Sequence, residues 1–225
     1  HWCQTTFEKA GIRTRIMPLG YNENIYIYYE RPNPRKSHKD FTFLHYNAFN
    51  IRKGFTEVFR AFVEEFEKTE PVKLILKTTQ SQSPLPITKS EYPNIDCIYG
   101  KITENEMLDI MKRSDCLVFP SRGEGFGIDP LECMATGMSA IVPNAHGITE
   151  YFNSDYMYEV KVKEKCPALY ARYKDMDVGE MVVCDVADLR KKMRWVYEHQ
   201  EEATERGKRA ANYVKGWTFA KTALT

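Results

Sequence analysis

Two carboxylates, Glu124 and Glu132, stand eight positions apart in the segment 121–137, SRGEGFGIDPLECMATG, which also carries three glycines in its first half. Gly123, Gly125 and Gly127 are expected to turn the backbone through positive φ and to let it approach a ligand closely. Pro130 suits the first turn of a helix. The segment therefore reads as a loop feeding a helix N-terminus, where unpaired peptide N–H groups and the helix dipole form a site for a diphosphate. A carboxylate beside a diphosphate would be repelled, so the two acids are better suited to hydroxyl groups on either side of it, a ribose at one end and a sugar at the other. Taken singly, either Glu reads as a solvated acid near a helix start, and the glycines alone are a weak signal. The combination carries the chemistry.

Such a loop needs a strand before it and a sheet around it. Short, continuous apolar runs at 14–17, 41–46, 72–77, 95–99, 116–120, 138–142 and 181–184 alternate with helical segments. That pattern predicts an α/β fold, a Rossmann-like parallel sheet with helices on both faces. Val58, Phe59, Phe62, Val63 and Phe66 give 56–66 an amphipathic helical spacing that Pro71 closes. Thr103 with Glu106 forms a capping box opening a helix to about Arg113, and a third helix spans about 129–136, closed by Gly137. Asp185 or Asp188 can cap a helix through Tyr197, followed by a charged helix over about 201–214. The proline-bearing stretches 30–40 and 78–93 read as a linker and as an excursion from a strand end, where open α/β sheets bind ligands.

The chain has 225 residues and a formal net charge of +1, which argues against a protein that coats nucleic acid or an anionic membrane. Any phosphate site must be local. The cysteines (Cys3, Cys97, Cys116, Cys133, Cys166 and Cys184) are widely spaced with no CxxC pair, which fits a reduced, cytoplasmic setting. No apolar run approaches the ~20 residues needed to span a bilayer, which leaves peripheral membrane contact open. The opening residues HWCQTTFEKAG read as the middle of a helical segment, so the chain is expected to begin partway through a longer protein.

The segment EGFGIDPLECMATG resembles the signature of glycosyltransferase family 4, a retaining family of the GT-B fold, whose pattern is EGFGxxxLExMAxG. The resemblance covers most of the chain. Residues 7–20, ending in Met17-Pro18-Leu19-Gly20, are similar to the family's crossing between domains, and 41–53 takes the place of the first strand and its phosphate-binding loop. Residues 115–121 match the strand ending in Pro-Ser, and Trp217-Thr218-Phe219 sits where such domains close with a helix returning to the other half. Residues 138–150, MSAIVPNAHGITE, depart from the pattern: Ser139 replaces a proline, and His146-Gly147 a double glycine. On this likeness residues 1–38 are the end of a preceding domain and the crossing, and 39–225 a nucleotide-sugar-binding domain with C-terminal helices.

The resemblance implies that Lys53, in Arg52-Lys53-Gly54, neutralises the donor diphosphate. An arginine usual six residues earlier is replaced by Asn47, so Arg52 or Lys77 substitutes, or backbone amides carry more of the load. Glu132 would bind the ribose, Glu124 would orient the donor sugar, and Gly125, Phe126, Gly127 and Ile128 would present the loop and helix N-terminus. Gly100 and Lys101 lie where the family holds the base. His45 and His146 read as structural. The implied reaction is retaining transfer of a hexose from a nucleoside diphosphate sugar to an unidentified acceptor, with Glu124 and Lys53 at the reacting centre and the stabilisation chiefly electrostatic. No metal is expected. The implied partner is an N-terminal GT-B domain, without which the chain should be inactive; no nucleic-acid partner is expected. A nucleotide-sugar epimerase, a phosphorylase relative and a non-catalytic nucleotide-binding module remain alternatives. For 153–179, rich in Tyr and Lys, the sequence suggests no mechanism.

Overall fold

A computed structural model describes residues 2–32, 40–81, 83, 87–168 and 179–224. Six strands, β1 (Phe41–Tyr46), β2 (Val72–Lys77), β3 (Ile95–Ile98), β4 (Cys116–Val118), β5 (Ser139–Val142) and β6 (Tyr158–Glu159), form one sheet in the order β3-β2-β1-β4-β5-β6. Every pairing in it is parallel; Phe43, for instance, registers with Leu74 on one side and Cys116 on the other. The chain starts in the middle, winds outward through β3, then returns to β4 and winds the other way. The direction of winding therefore reverses between β1 and β4, and in such sheets the crevice at the strands' C-terminal ends is where a ligand sits.

Alternation along the strands gives each face its own core. Phe41 and Phe43 point to one side with Leu74, Leu76 and Val118, under helices α2 (Phe55–Glu65) and α5 (Val186–Glu198). Leu44, Ile75 and Leu117 point to the other, with Leu131 and Met134 of α4 (Ile128–Ala135) and Ala210 of α6 (Gln200–Tyr213). The first side is aromatic: Phe41 meets Phe43 edge-on with ring centroids 5.0 Å apart, and the Arg194 guanidinium lies over Phe66 at 4.4 Å while its Nε reaches Glu65 at 2.9 Å. Helix α3 (Glu104–Lys112) begins with the expected capping box, Thr103 and Glu106 each accepting from the other's backbone N–H. Asp185, rather than Asp188, caps α5.

Two expectations fail. Residues 14–17 form no strand; they run as an extended segment after helix α1 (Trp2–Lys9) and line a cavity of about 390 Å³ with Cys3, Gly125 and Phe126. Two apolar residues, Ile16 and Met17, suffice for a strand only where a neighbour pairs with them, and the sheet passes elsewhere. Residues 181–184 do form a strand, β8 (Glu180–Cys184), but it pairs antiparallel with β7 (Val162–Pro167) in a separate two-stranded ribbon. Lys161, Lys163 and Lys165 explain this: β7 is exposed over nearly its whole length, which a buried parallel sheet does not tolerate. The sixth sheet position goes to β6, for which the sequence carries too short an apolar run. Residues 33–39, where the sequence sets the domain boundary, and 169–178, within the stretch without a mechanism, lie outside the described residues. So do Pro84 and Pro86 of the proline-bearing excursion.

The crossing segment is held at two points. Tyr21 bridges the chain's end, its N–H donating to the Trp217 carbonyl at 2.9 Å while its own carbonyl accepts from Phe219 N–H at 3.0 Å, just where Thr218 caps helix α7 (Phe219–Thr222). Arg31 is buried and donates to the Met111 carbonyl at 3.0 Å, to the Ser114 carbonyl, and to Thr136 Oγ1 at 3.0 Å. The Met111 carbonyl lies in the last turn of α3 and the Ser114 carbonyl just past its end, where helices leave acceptors unsatisfied. Among the described residues no helix is long and apolar enough to cross a membrane.

Candidate functional site

Two loops meet at the sheet's reversal point, one leaving β1 and one leaving β4. The first makes a short helical turn, Ile51–Lys53, capped by Asn50, whose Oδ1 accepts from Lys53 N–H at 3.0 Å. The second is the glycine-rich loop. They are joined by their backbones: Arg122 N–H donates to the Arg52 carbonyl at 2.7 Å, and Ser121 Oγ lies 3.2 Å from the same carbonyl oxygen. This fixes Lys53 and Glu124 relative to each other.

Of the three loop glycines, only Gly127 has positive φ, +79°. Gly123 and Gly125 do not, contrary to expectation, because the turn is made in one step at the residue that caps α4. The support for the loop comes from behind. Tyr151 is fully buried and donates to the Gly127 carbonyl at 2.5 Å; Phe126 packs against Tyr151 and Trp217 with centroids 5.4 and 5.9 Å away. Gly147 N–H donates to the Glu124 carbonyl at 3.0 Å, and a Cβ on Gly147 would fall 2.2 Å from the Gly125 carbonyl oxygen. Just before it, His146 has φ +52°, the one non-glycine residue with positive φ among those described. It stands where the double glycine of the resembled family would put a glycine.

The side chains of the two loops converge on Glu124. Its Oε1 accepts from Lys53 Nζ at 2.6 Å, from Ser121 Oγ at 2.6 Å and from Arg52 Nη1 at 3.2 Å. Arg52 also donates to the Gly123 carbonyl at 2.7 Å. Lys53 Nζ lies 3.8 Å from Asp129 Oδ2 and 5.4 Å from the centre of the Phe119 ring. Asp129 is in the first turn of α4, and burial pushes its carboxyl up to about 6, with Lys53 opposing and Glu124 reinforcing that shift. One turn further on, burial and the neighbouring Asp129 push Glu132 up to about 7, while hydrogen bonds from Tyr46 and Tyr26 hold it down. The Tyr46 hydroxyl lies 3.2 Å from Glu132 Oε2 and 2.9 Å from the Asp129 carbonyl oxygen.

Asn47, Lys77, Lys101 and Asp129 line a cavity of about 490 Å³ beside Tyr26 and Tyr46. The Asn47 backbone N–H donates to the Lys77 carbonyl at 2.9 Å, and its buried side-chain amide faces Asp129, whose carboxyl it helps hold down. Lys77 Nζ is engaged by the carbonyls of Thr78 and Gly100 at 2.8 and 2.7 Å, and burial pulls its pKa down. The geometry thus sets Arg52 beside Lys53, and Lys77 at the far end with Gly100. Gly125, Phe126 and Ile128 flank the helix start, and Cys3 Sγ reaches the Gly125 carbonyl at 3.1 Å. His45 is fully buried against the Val118 carbonyl at 3.0 Å, and burial pushes it down to about 4, so it stays neutral. All six cysteines are free.

Sequence reasoning missed Asp129, Ser121, Tyr46 and Tyr26. Tyr46 had a usable signal, a tyrosine at the C-terminal end of a central strand. Asp129 was passed over as a residue of the helix start.

The family model of the group 1 glycosyl transferases matches residues 22–169, more than half of the chain. No curated protein matches in sequence. Among solved structures, a sucrose-phosphate synthase from Thermosynechococcus elongatus is 16% identical with a TM-score of 0.72, covering 99% of this chain and 54% of that one. The C-terminal domain of a group 1 glycosyl transferase, LpcC, from Francisella tularensis is 15% identical with a TM-score of 0.64, covering 89% of this chain and all of that domain. HepE of Anabaena, solved with UDP-glucose, is 14% identical with a TM-score of 0.70 over 98% of this chain and 59% of that one. The chain spans about half the length of the sucrose-phosphate synthase and of HepE. With its Rossmann-like sheet in the likeness of a GT-B C-terminal domain, the chain belongs to the group 1 glycosyl transferases.

Proposed function

We propose that this chain is the donor-binding half of a retaining hexosyltransferase of family 4, in which 39–225 hold a nucleoside diphosphate sugar and 1–38 lead in from a partner domain. The observation that carries the reading is the meeting of Lys53 with Glu124 at the N-terminus of α4, with Glu132 further along the same helix. The diphosphate lies across the first turn of α4, where the amides of Gly127 and Ile128 and the cations Lys53 and Arg52 receive it. Glu132, beside Tyr46, takes the ribose hydroxyls; the base reaches toward Gly100 and Lys101, past Asn47 on the same cavity wall. Glu124 accepts from the sugar hydroxyls. UDP and UDP-glucose, the ligands solved with HepE, are natural first probes.

Catalysis on this reading is differential electrostatic stabilisation. As the bond between the anomeric carbon and the phosphate oxygen breaks, the electron pair stays on that oxygen, and Lys53 with the helix N-terminus meets the charge. The acceptor oxygen attacks the same face and gives its proton to the departing phosphate oxygen on that face; the side chains supply charge and orientation rather than a nucleophile. On this reading the positive charge comes from Lys53, Arg52 and peptide dipoles, and no metal is invoked. The acceptor docks on the partner domain, and the isolated chain binds donor weakly and transfers nothing. The free cysteines accord with a cytoplasmic setting.

The test is Lys53→Ala with calorimetry against UDP, GDP and ADP and against the matching nucleosides. Binding of the diphosphate should weaken by about 1–3 kcal/mol, the range for a charge-assisted hydrogen bond, while nucleoside binding changes little. Equal loss for both ligands would sink the phosphate assignment.

A further inference from the structure

The crevice that should take a diphosphate is crowded with carboxylates. Lys53 and Arg52 supply two positive charges, while Glu124, Asp129 and Glu132 can supply three negative ones. Glu124 is neutralised by three donors. Glu132 sits along the helix under Tyr46. Asp129 is different: it occupies the first turn of α4, among the amides that face an anion, and its nearest cation is the Lys53 ammonium at 3.8 Å, beyond direct hydrogen-bond reach. It is an anion placed in an anion site.

A donor and its spent product differ in charge at one place. In the sugar conjugate each phosphate carries a single negative charge; once the sugar has left, the terminal phosphate can ionise again, with a pKa of about 6 by analogy with other phosphate monoesters. We propose that Asp129 is a specificity residue that disfavours the extra phosphate charge, so that it weakens the nucleoside diphosphate more than the nucleoside diphosphate sugar and promotes product release. This rests on the donor-binding reading above. Like charges a few ångströms apart in a half-buried crevice repel by more than in water, whereas a helix-dipole role alone would affect stability and leave the two ligands' ratio unchanged. Burial is the main cause of the carboxyl's raised pKa, about 6; Glu124 adds to it, and Lys53 and Asn47 oppose it.

The experiment is calorimetric titration at pH 8 of the chain, Asp129→Asn and Asp129→Ser with UDP, GDP and ADP, each against its glucose conjugate. Both variants should bind the free diphosphate about tenfold more tightly, with a change of no more than about threefold for the conjugate. Two substitutions of different volume guard against a packing artefact, and melting curves report whether each is folded. Equal tightening of both ligands, or none, overturns the inference. If the unaltered chain binds no member of any pair, the donor-binding reading falls, and this inference with it.

Discussion

Glu132→Gln should make the protein more stable in neutral and alkaline solution while weakening its hold on nucleotide. The folded-state pKa of Glu132, about 7, lies above the ordinary value of 4.5 because the carboxyl is largely buried beside Asp129. Below 4.5 the group is protonated in both folded and unfolded chains and contributes no pH dependence. Between 4.5 and 7 the folded chain keeps a proton the unfolded chain has lost, so stability falls as pH rises, and above 7 the whole penalty is present. At about 1.4 kcal/mol for each tenfold change in proton affinity, the rise from 4.5 to about 7 corresponds to about 3.5 kcal/mol. Gln removes the charge and keeps an acceptor for the Tyr46 hydroxyl. Urea unfolding at half-unit steps from pH 5 to 8.5 should therefore show the variant overtaking the parent as pH rises, the gap levelling off near pH 8. The same substitution should weaken nucleotide binding by about 1–3 kcal/mol through lost charge-assisted ribose bonds. A stability difference that does not change with pH would refute the burial argument. Unchanged affinity would refute the ribose role.

The support behind the loop yields two more expectations. His146→Gly should raise stability by about 0.5 kcal/mol, since a left-handed non-glycine residue costs about 1–2 kcal/mol and glycine returns part of that through unfolded-chain entropy; a loss in urea melts would show that the imidazole's contacts outweigh its strained backbone. Gly147→Ala should destabilise by about 1–3 kcal/mol and weaken nucleotide binding as well, because the new Cβ would meet the Gly125 carbonyl at 2.2 Å and displace the loop. Wild-type affinity in that variant would mean the loop does not depend on this contact.

The parts of the fold legible in the sequence are those whose signal is local. Continuous apolar runs such as Phe41–Tyr46 and Val72–Lys77 can be buried on both faces only in a parallel sheet, and the Thr103–Glu106 capping box is complete within four residues. The misread segments lacked that property. Residues 14–17 look like a strand by composition, but a strand exists only where a neighbour offers its hydrogen bonds. The two-residue strand Tyr158–Glu159 has the opposite character, with almost no pattern of its own and a place beside Ile141–Val142 because β5 would otherwise be an edge.

The site divides along the same line. Spacing points to Glu124 and Glu132, which depend on a short stretch of chain with a defined turn, while Lys53 comes from the family resemblance. The charge balance was not legible, because it is set by which loops touch. Asp129 lies within a spacer of the sequence pattern and acquires its character from Lys53, seventy-six positions away, and from burial. Asn47 reads as the loss of an expected cation, whereas in the folded chain it is a buried amide at the crevice wall that helps hold the Asp129 carboxyl down. On the donor-binding reading, a site with an amide where the resembled family has an arginine, and with an acid at the helix start, would bind anions through peptide dipoles more than through net charge. Its affinity for a diphosphate should therefore respond more to displacement of the loop backbone, as in Gly147→Ala, than the number of its basic side chains would suggest.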